Sequence, residues 1–365
     1  MADISGISVV LPSLDPDEKL TAVIDGLLAQ GFSDIILIDD GSSQECQPYF
    51  QAAAAHPQVH LLVHPVNLGK GAALRDGFRF FLAHRPEGAG VVTVDGDDQH
   101  RPEDARACCE HMLEAGRCVL GCRDFSLPQV PARSRFGNRV TSLVFRVFCG
   151  MTISDTQTGL RALTRPALEI LCQVPGDRYE YETNMLLAFR VHGIAFDEVK
   201  IRTVYLDGNQ RSHFRTVRDS WRIYRLILAH FFRYSASSLL CAGVDTLAYT
   251  GLNALLHPWL TGGILTAACT VGARAISSVL NFSLNRRLVF HDSGSIGATL
   301  ARYYALAVPI MAAQVLLAEG IYRLAHIADS ATATRTLIYV LVMAALYLVN
   351  YMAQQRWVFA RKRPE

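Results

Sequence analysis

The 365-residue chain reads as α/β in its first part, with a doubly wound, mostly parallel sheet, and as an all-α membrane-spanning region in its last. Three observations lead there. Short β-rich runs alternate with helical stretches up to about Asn209, the pattern of successive βαβ units. Polar, glycine-containing loops follow those runs. From Ser235 onward, apolar segments long enough to cross a bilayer take over. The formal net charge of +2 hides this division, and the length calls for at least two domains. Nine cysteines are scattered without paired metal spacing, so reduced thiols are expected rather than a disulfide framework.

The elements follow in order. Ile7 to Leu11 is a strand, too short and wrongly flanked for a signal peptide, and leads through Pro12-Ser13-Leu14-Asp15 into a helix near Glu18–Gln30. Ile35 to Ile38 runs into Asp39-Asp40-Gly41-Ser42-Ser43. His60 to Val63 precedes Asn67-Leu68-Gly69-Lys70-Gly71, with a helix through Ala72–Phe81. Val91 to Val94 is a buried strand, and Asp95-Gly96-Asp97-Asp98-Gln99-His100 emerges from its end. Ligands of open α/β sheets bind at that end. Side chains two apart on extended chain point the same way, so Asp95 and Asp97 can share one hard divalent cation. Taken alone, the pair could be an acidic turn, and each loop an ordinary bend. Their order along the chain is what gives them weight. Of Glu180 and Glu182, two apart on a helix, at most one is expected to point inward.

In that order the motifs resemble glycosyltransferase family 2, in the branch of dolichol-phosphate mannose synthase and bacterial polyprenyl-phosphate glycosyltransferases. The matching pieces are Val10-Leu11-Pro12-Ser13, Ile38 to Ser42, Asn67 to Ala73, Asp95 to Glu103, Gly121-Cys122-Arg123 and Ser154 to Arg161, within roughly residues 5–230. The resemblance implies a GT-A-type sheet and an inverting transfer of sugar from a UDP- or GDP-linked donor to polyprenyl phosphate. It implies that Pro12 and Asp40 contact base and ribose, that Lys70 lies near the donor, and that Asp95, Asp97 and Gln99 hold Mg²⁺ or Mn²⁺. Asp97, Arg135 and Arg161 are the implied catalytic set, and Arg123, Arg135 and Arg215 face the acceptor phosphate. Ser212-His213 stands where the family often has Ser-Lys at the diphosphate, and Leu14 stands where an aromatic is usual. A phosphate monoester is already anionic at neutral pH, so positioning arginines matter more than a strong base.

Arg211, Arg215, Arg218, Arg222 and Arg225 recur at helical spacing beside an apolar stripe. This predicts a basic interfacial helix over residues 211–233 between a glycosyltransferase domain, 1–210, and a membrane domain, 234–365. Four spans are expected, near Ser235–Leu256, Trp259–Leu284, Tyr303–Ala325 and Thr336–Ala353. Flanking arginines put the catalytic domain and both termini in the cytoplasm, at the inner membrane of the cell. A shift of 69 residues superposes Arg233-Tyr234 on Arg302-Tyr303, Asn281 on Asn350 and Val289-Phe290 on Val358-Phe359, a parallel duplication of a helical hairpin. Its closing Arg-x-Val-Phe resembles the GtrA-like membrane family. Inside the spans, Asp245 and Arg274 are expected to pair. The expected partners are nucleotide-sugar, polyprenyl phosphate and the bilayer, with a homo-oligomer left open and no nucleic acid. The alternative reading is a lipid-linked sugar translocase with the soluble part as a delivery module. A processive synthase is disfavoured, because Gln354-Gln355-Arg356-Trp357 follows the last span.

Overall fold

A computed structural model describes residues 2–128, 130–202, 216–290, 292, 294–327 and 332–359. The chain divides into two units, Met1–Arg225 and Leu226–Glu365.

The first unit is built on seven strands: β1 (Ile7–Ser13), β2 (Ile35–Asp39), β3 (Val59–Val63), β4 (Gly90–Thr93), β5 (Cys118–Arg123), β6 (Arg161–Thr164) and β7 (Phe196–Ile201). Their order is β3-β2-β1-β4-β6-β5-β7. All pairings are parallel except those of β6, which runs antiparallel to β4 and β5. The helices between them are α1 (Lys19–Ala29), α2 (Gln47–Ala54), α3 (Lys70–His84), α4 (Pro102–Ala115), α5 (Ala132–Val144), α6 (Arg165–Leu171) and α7 (Glu180–His192). The strands read as near-continuous apolar runs because both faces are covered. Val9, Leu11, Ile35, Leu37 and Val92 pack with Leu20, Val23 and Leu27 of α1 and with Cys108, Cys109 and Met112 of α4. Burying each such side chain contributes roughly 1.5–3 kcal/mol. All nine cysteines are free thiols, as expected. The strand order reverses between β1 and β4, so the crevice for a ligand lies where Ser13 and the residues after Thr93 leave the sheet.

The second unit contains α8 (Thr216–Leu256, begun in the first), α9 (Gly262–Leu284), α10 (Ile296–Leu324) and α11 (Thr332–Ala353). Segments Phe231–Leu256, Ile264–Val289 and Ile296–Leu324 are long and apolar enough to cross a membrane. The predicted duplication is visible in the contacts. Asn285 Nδ2 donates to Gln354 Oε1 at 3.1 Å, its counterpart 69 positions on. Phe290 stacks on its own counterpart, Phe359, at 4.9 Å. The other contacts come in exchanged pairs. Tyr303 donates to Asn281 Oδ1 at 3.3 Å, while Asn350 Nδ2 donates to the Tyr234 hydroxyl at 3.1 Å. Phe282 meets Tyr303 at 5.5 Å, and Tyr351 meets Tyr234 at 5.1 Å. Residue i touching j while its equivalents touch in the reverse sense is the signature of a two-fold axis. Here that axis lies within one chain. A five-residue π-helical turn closes each hairpin, Asn285–Val289 and Gln354–Val358, again at equivalent positions.

Candidate active site

Asp95 leaves β4 into a nest of fixed partners. Its Oδ1 lies 2.7 Å from Lys70 Nζ, and Lys70 also reaches Glu182 Oε1 at 3.0 Å. The Asp95 amide points at His100 Nδ1, 3.3 Å away. Gly159, two residues before β6, backs the carboxylate: a β-carbon there would collide with Asp95 Oδ2 unless that side chain moved. Thr93 donates to the Gly159 carbonyl at 2.6 Å and locks that backbone to β4. Lys70 is the first residue of α3, and Gly69 before it has φ of 105°, a conformation that glycine adopts without strain. Glu182 lies in the first turn of α7, where an acidic side chain complements the helix dipole.

The charges follow from this packing. Burial alone would raise Asp95, but Lys70, His100 and Arg123 outweigh it and hold the carboxyl down to about 2. Burial opposes the charge on Lys70, yet Asp95 and Glu182 raise its pKa. Desolvation in the cleft, then the neighbouring Asp95 carboxylate, push Asp97 above the ordinary carboxylate range. Asp97 itself presents an exposed surface, and its Oδ1 accepts from the Gln99 amide at 3.1 Å. Burial lowers His100, and its Nδ1 faces the Asp95 amide. Two close carboxylates, one of them disfavoured as an anion, are an arrangement that a divalent cation relieves. Among the described residues no three His, Cys, Asp or Glu side chains form a ready-made cage. The fit is therefore to an ion such as Mg²⁺, which takes one or two carboxylates and completes its shell from phosphates and water.

The other expected residues divide by position. Pro12 stands near the end of β1, half-buried, paired with Ile38 of β2. Asp40 is buried and already committed: it accepts from the Leu68 and Gly69 amides at 3.0 and 2.8 Å and lies 2.8 Å from His64 Nδ1. It shapes the loop that presents Lys70. Arg123, at the end of β5, makes a two-pronged pair with Asp155 at 2.7 and 3.1 Å, and Asp155 is wholly buried. Arg135 lies on the exposed side of α5 and donates to the Leu127 carbonyl at 3.1 Å. Arg161 departs from its expected role. It is 0% exposed, with Nε on the Thr158 carbonyl and Nη1 on the Glu182 carbonyl, beneath the site rather than facing it. Ser212, His213 and Arg215 lie outside the described residues. The acidic run 177–182 hinted at Glu182. Nothing in spacing singled out Asp155 or Gly159 within the motif that contained them.

Two family models match the chain: "Glycosyl transferase family 2" over residues 8–169 and "GtrA/DPMS, transmembrane domain" over residues 233–359. The chain joins a family 2 glycosyltransferase domain to a GtrA/DPMS transmembrane domain. Its first domain is 23% identical over 240 residues to the UDP-N-acetylglucosamine–dolichyl-phosphate N-acetylglucosaminyltransferase of Methanococcus voltae, covering 61% of this chain and 95% of that one. It is 30% identical over 180 residues to an undecaprenyl-phosphate 4-deoxy-4-formamido-L-arabinose transferase of Yersinia pestis, covering 46% of this chain and 51% of that one. Among solved structures, glucosyl-3-phosphoglycerate synthase of Mycobacterium tuberculosis, crystallised with Mn²⁺ and UDP, is similar at a TM-score of 0.45 and 20% identity, over 61% of this chain and 77% of that one. The family 2 domain thus has relatives that act with lipid-linked sugars, and the GtrA/DPMS domain makes the chain a membrane protein.

Proposed function

We propose that this glycosyltransferase moves a sugar from a UDP- or GDP-linked donor to a polyprenyl phosphate, with inversion at the anomeric carbon, at the cytoplasmic face of the inner membrane. The observation that carries the reading is the strand-end pair: Asp95 fixed against Lys70 and Gly159, with Asp97 open to the crevice beside it. Asp95, Asp97 and Gln99 offer hard oxygen donors for Mg²⁺ or Mn²⁺. When bound, such an ion supplies the charge neutralisation that a departing nucleoside diphosphate needs. Lys70 is a second, permanent positive charge at the same place, held there by Glu182 as well as Asp95. Preorganised charge of this kind acts without reorganisation at the moment of reaction.

On the acceptor side, Asp155 holds the Arg123 guanidinium in one orientation. Arg123 and Arg135 are proposed to position the lipid phosphate, whose oxygen is anionic near neutral pH because its second pKa is about 6. Arg161 acts by positioning: it ties Thr158, next to Gly159, to the first turn of α7, which carries Glu182. Ser212, His213 and Arg215 are assigned to the donor diphosphate and acceptor phosphate on the family resemblance, and the basic stretch 211–233 to the headgroup layer. The names of the Methanococcus and Yersinia relatives support a polyprenyl phosphate acceptor. The test is direct. Purified protein is incubated with undecaprenyl phosphate and a panel of nucleotide-sugars, and the lipid product is identified by mass. One donor should yield a lipid-phosphate sugar, and none should do so with Asp97→Ala.

A further inference from the structure

Lys70 and Glu182 stand at two helix starts that are locked together. The Ala72 amide donates to the Asp177 carbonyl at 3.0 Å. A β-carbon on Gly71 would lie 2.5 Å from Tyr181 Cβ and 2.9 Å from the Arg178 carbonyl, and one on Gly69 would strike the Asp177 carbonyl. The backbone of α3 therefore rests directly on the turn that begins α7, and main chain sets the span from Lys70 to Glu182. Asp95 reaches the same ammonium from elsewhere, out of the turn after β4. Lys70 thus has one partner on its own rigid unit, at 3.0 Å, and one across the cleft, at 2.7 Å. What can move between them is its flexible four-carbon stem.

Asp95 is also one of the two carboxylates assigned to the divalent ion, and there the contact has a consequence. Gly159 packs most closely against Oδ2, while Lys70 holds Oδ1. An ion such as Mg²⁺ binds a carboxylate oxygen at about 2.1 Å. With Lys70 Nζ 2.7 Å from that oxygen, ammonium and dication would stand within about 5 Å of each other. Like charges that close repel strongly where water is scarce, and the side chains of Lys70 and Glu182 are only 20% and 13% exposed. An arriving cation therefore meets Asp97, the exposed member of the pair, beside a partner already neutralised. A nucleoside diphosphate changes the balance. Its oxygens accept from an ammonium as a carboxylate does, and Lys70, with three donors, can turn to them while Glu182 retains it.

We propose that Lys70 stands in for the divalent ion at Asp95 and leaves it only for a nucleoside diphosphate, so that cation and nucleotide load together and the cation alone does not. This rests on the proposed function, which puts ion and diphosphate at Asp95, and adds the coupling between them. The test measures Mn²⁺ bound by full-length protein in nonionic detergent, from loss of the free-ion paramagnetic resonance signal, without nucleotide and with saturating UDP or GDP. Neither sugar nor lipid acceptor is present. Wild-type protein should bind Mn²⁺ weakly alone and roughly tenfold or more tightly with one of the nucleotides. Lys70→Met should bind Mn²⁺ alone roughly tenfold or more tightly than wild type does, and should gain little from nucleotide. Lys70→Gln, a second neutral variant, guards against a folding defect in the first and should behave alike. Lys70→Arg keeps the charge and should keep the wild-type pattern, and Asp97→Ala should abolish binding in each background. Tightening is the informative direction, because a lysine that merely braced Asp95 would leave its neutral variants binding more weakly. Neutral variants that bind Mn²⁺ no better than wild type, while UDP or GDP still promotes binding to wild-type protein, overturn this proposal and leave the proposed function standing. So does wild-type protein that binds Mn²⁺ equally well with and without nucleotide. Absence of Mn²⁺ binding to every form with either nucleotide overturns both.

Discussion

Gly159 lies so close to Asp95 that the carboxylate fills the space a β-carbon would need. The contact joins the segment leading into β6, the antiparallel strand, to the acidic turn after β4, and it backs the Asp95 carboxylate from one side. Gly159→Ala should displace Asp95 by a few tenths of an ångström or more. A misplacement of about 1 Å can cost on the order of 10²-fold in rate, and overpacking typically costs about 1–3 kcal/mol in stability. The transfer assay should therefore fall far more than the thermal midpoint does.

Lys70 pairs with both Asp95 and Glu182, so removing it takes a shared countercharge from two carboxylates in the cleft. Breaking a buried pair by deleting one partner costs roughly 3–5 kcal/mol. Lys70→Met should lower the melting temperature accordingly. Added Mn²⁺ with a nucleoside diphosphate should raise it by more than in wild type, because the ion takes over part of the lost countercharge. Calorimetry with and without the pair of ligands reads this out.

Away from the site, Asp34 provides a pH test. Burial works against its charge, but hydrogen bonds from Arg85 at 3.0 and 2.7 Å, with Ser8 and His60 nearby, hold it below the ordinary carboxylate range. A depressed carboxylate contributes stability that is present above its unfolded value, near ~3.9, and is lost as pH falls through its folded value. Asp34→Asn should cost roughly 1–3 kcal/mol at pH 7 and flatten the acid limb of thermal stability. An acid limb as steep as in wild type would contradict this.

In the membrane unit, Asn285 and Gln354 form the bond on the pseudo-axis. Asn285→Leu leaves the Gln354 amide short of a donor in an apolar setting, whereas Asn285→Leu/Gln354→Leu removes both halves. Interhelical hydrogen bonds in membranes are worth about 0.6–2 kcal/mol. The double variant should lose less stability than the two single losses added together, measured by unfolding in detergent.

Much of this was legible in the chain itself. Strands β1 to β4 and their loops follow from apolar runs ending in Ser13, Asp40, Asn67 and Asp95, because a strand buried on both faces writes itself as a continuous hydrophobic stretch. The 69-residue repeat was equally plain, since ungapped identity needs no tertiary knowledge. The antiparallel insertion of β6 was not, because Arg161 to Thr164 is four residues long and no periodicity reports strand direction. That insertion is what buries Arg161 and brings Gly159 to Asp95. The pairing of Arg123 with Asp155 spans 32 residues, and the reach of Lys70 to Glu182 spans more than a hundred. Contacts of that range are set by the fold and leave no local trace.

The proposed chemistry turns on Asp95 and Asp97 acting through a divalent ion, and transfer of sugar to polyprenyl phosphate in excess chelator tests it most directly. The account predicts that turnover disappears when EDTA is added, returns with Mg²⁺ or Mn²⁺, and stays absent in Asp97→Ala at any metal concentration. Full turnover in the presence of chelator would contradict it.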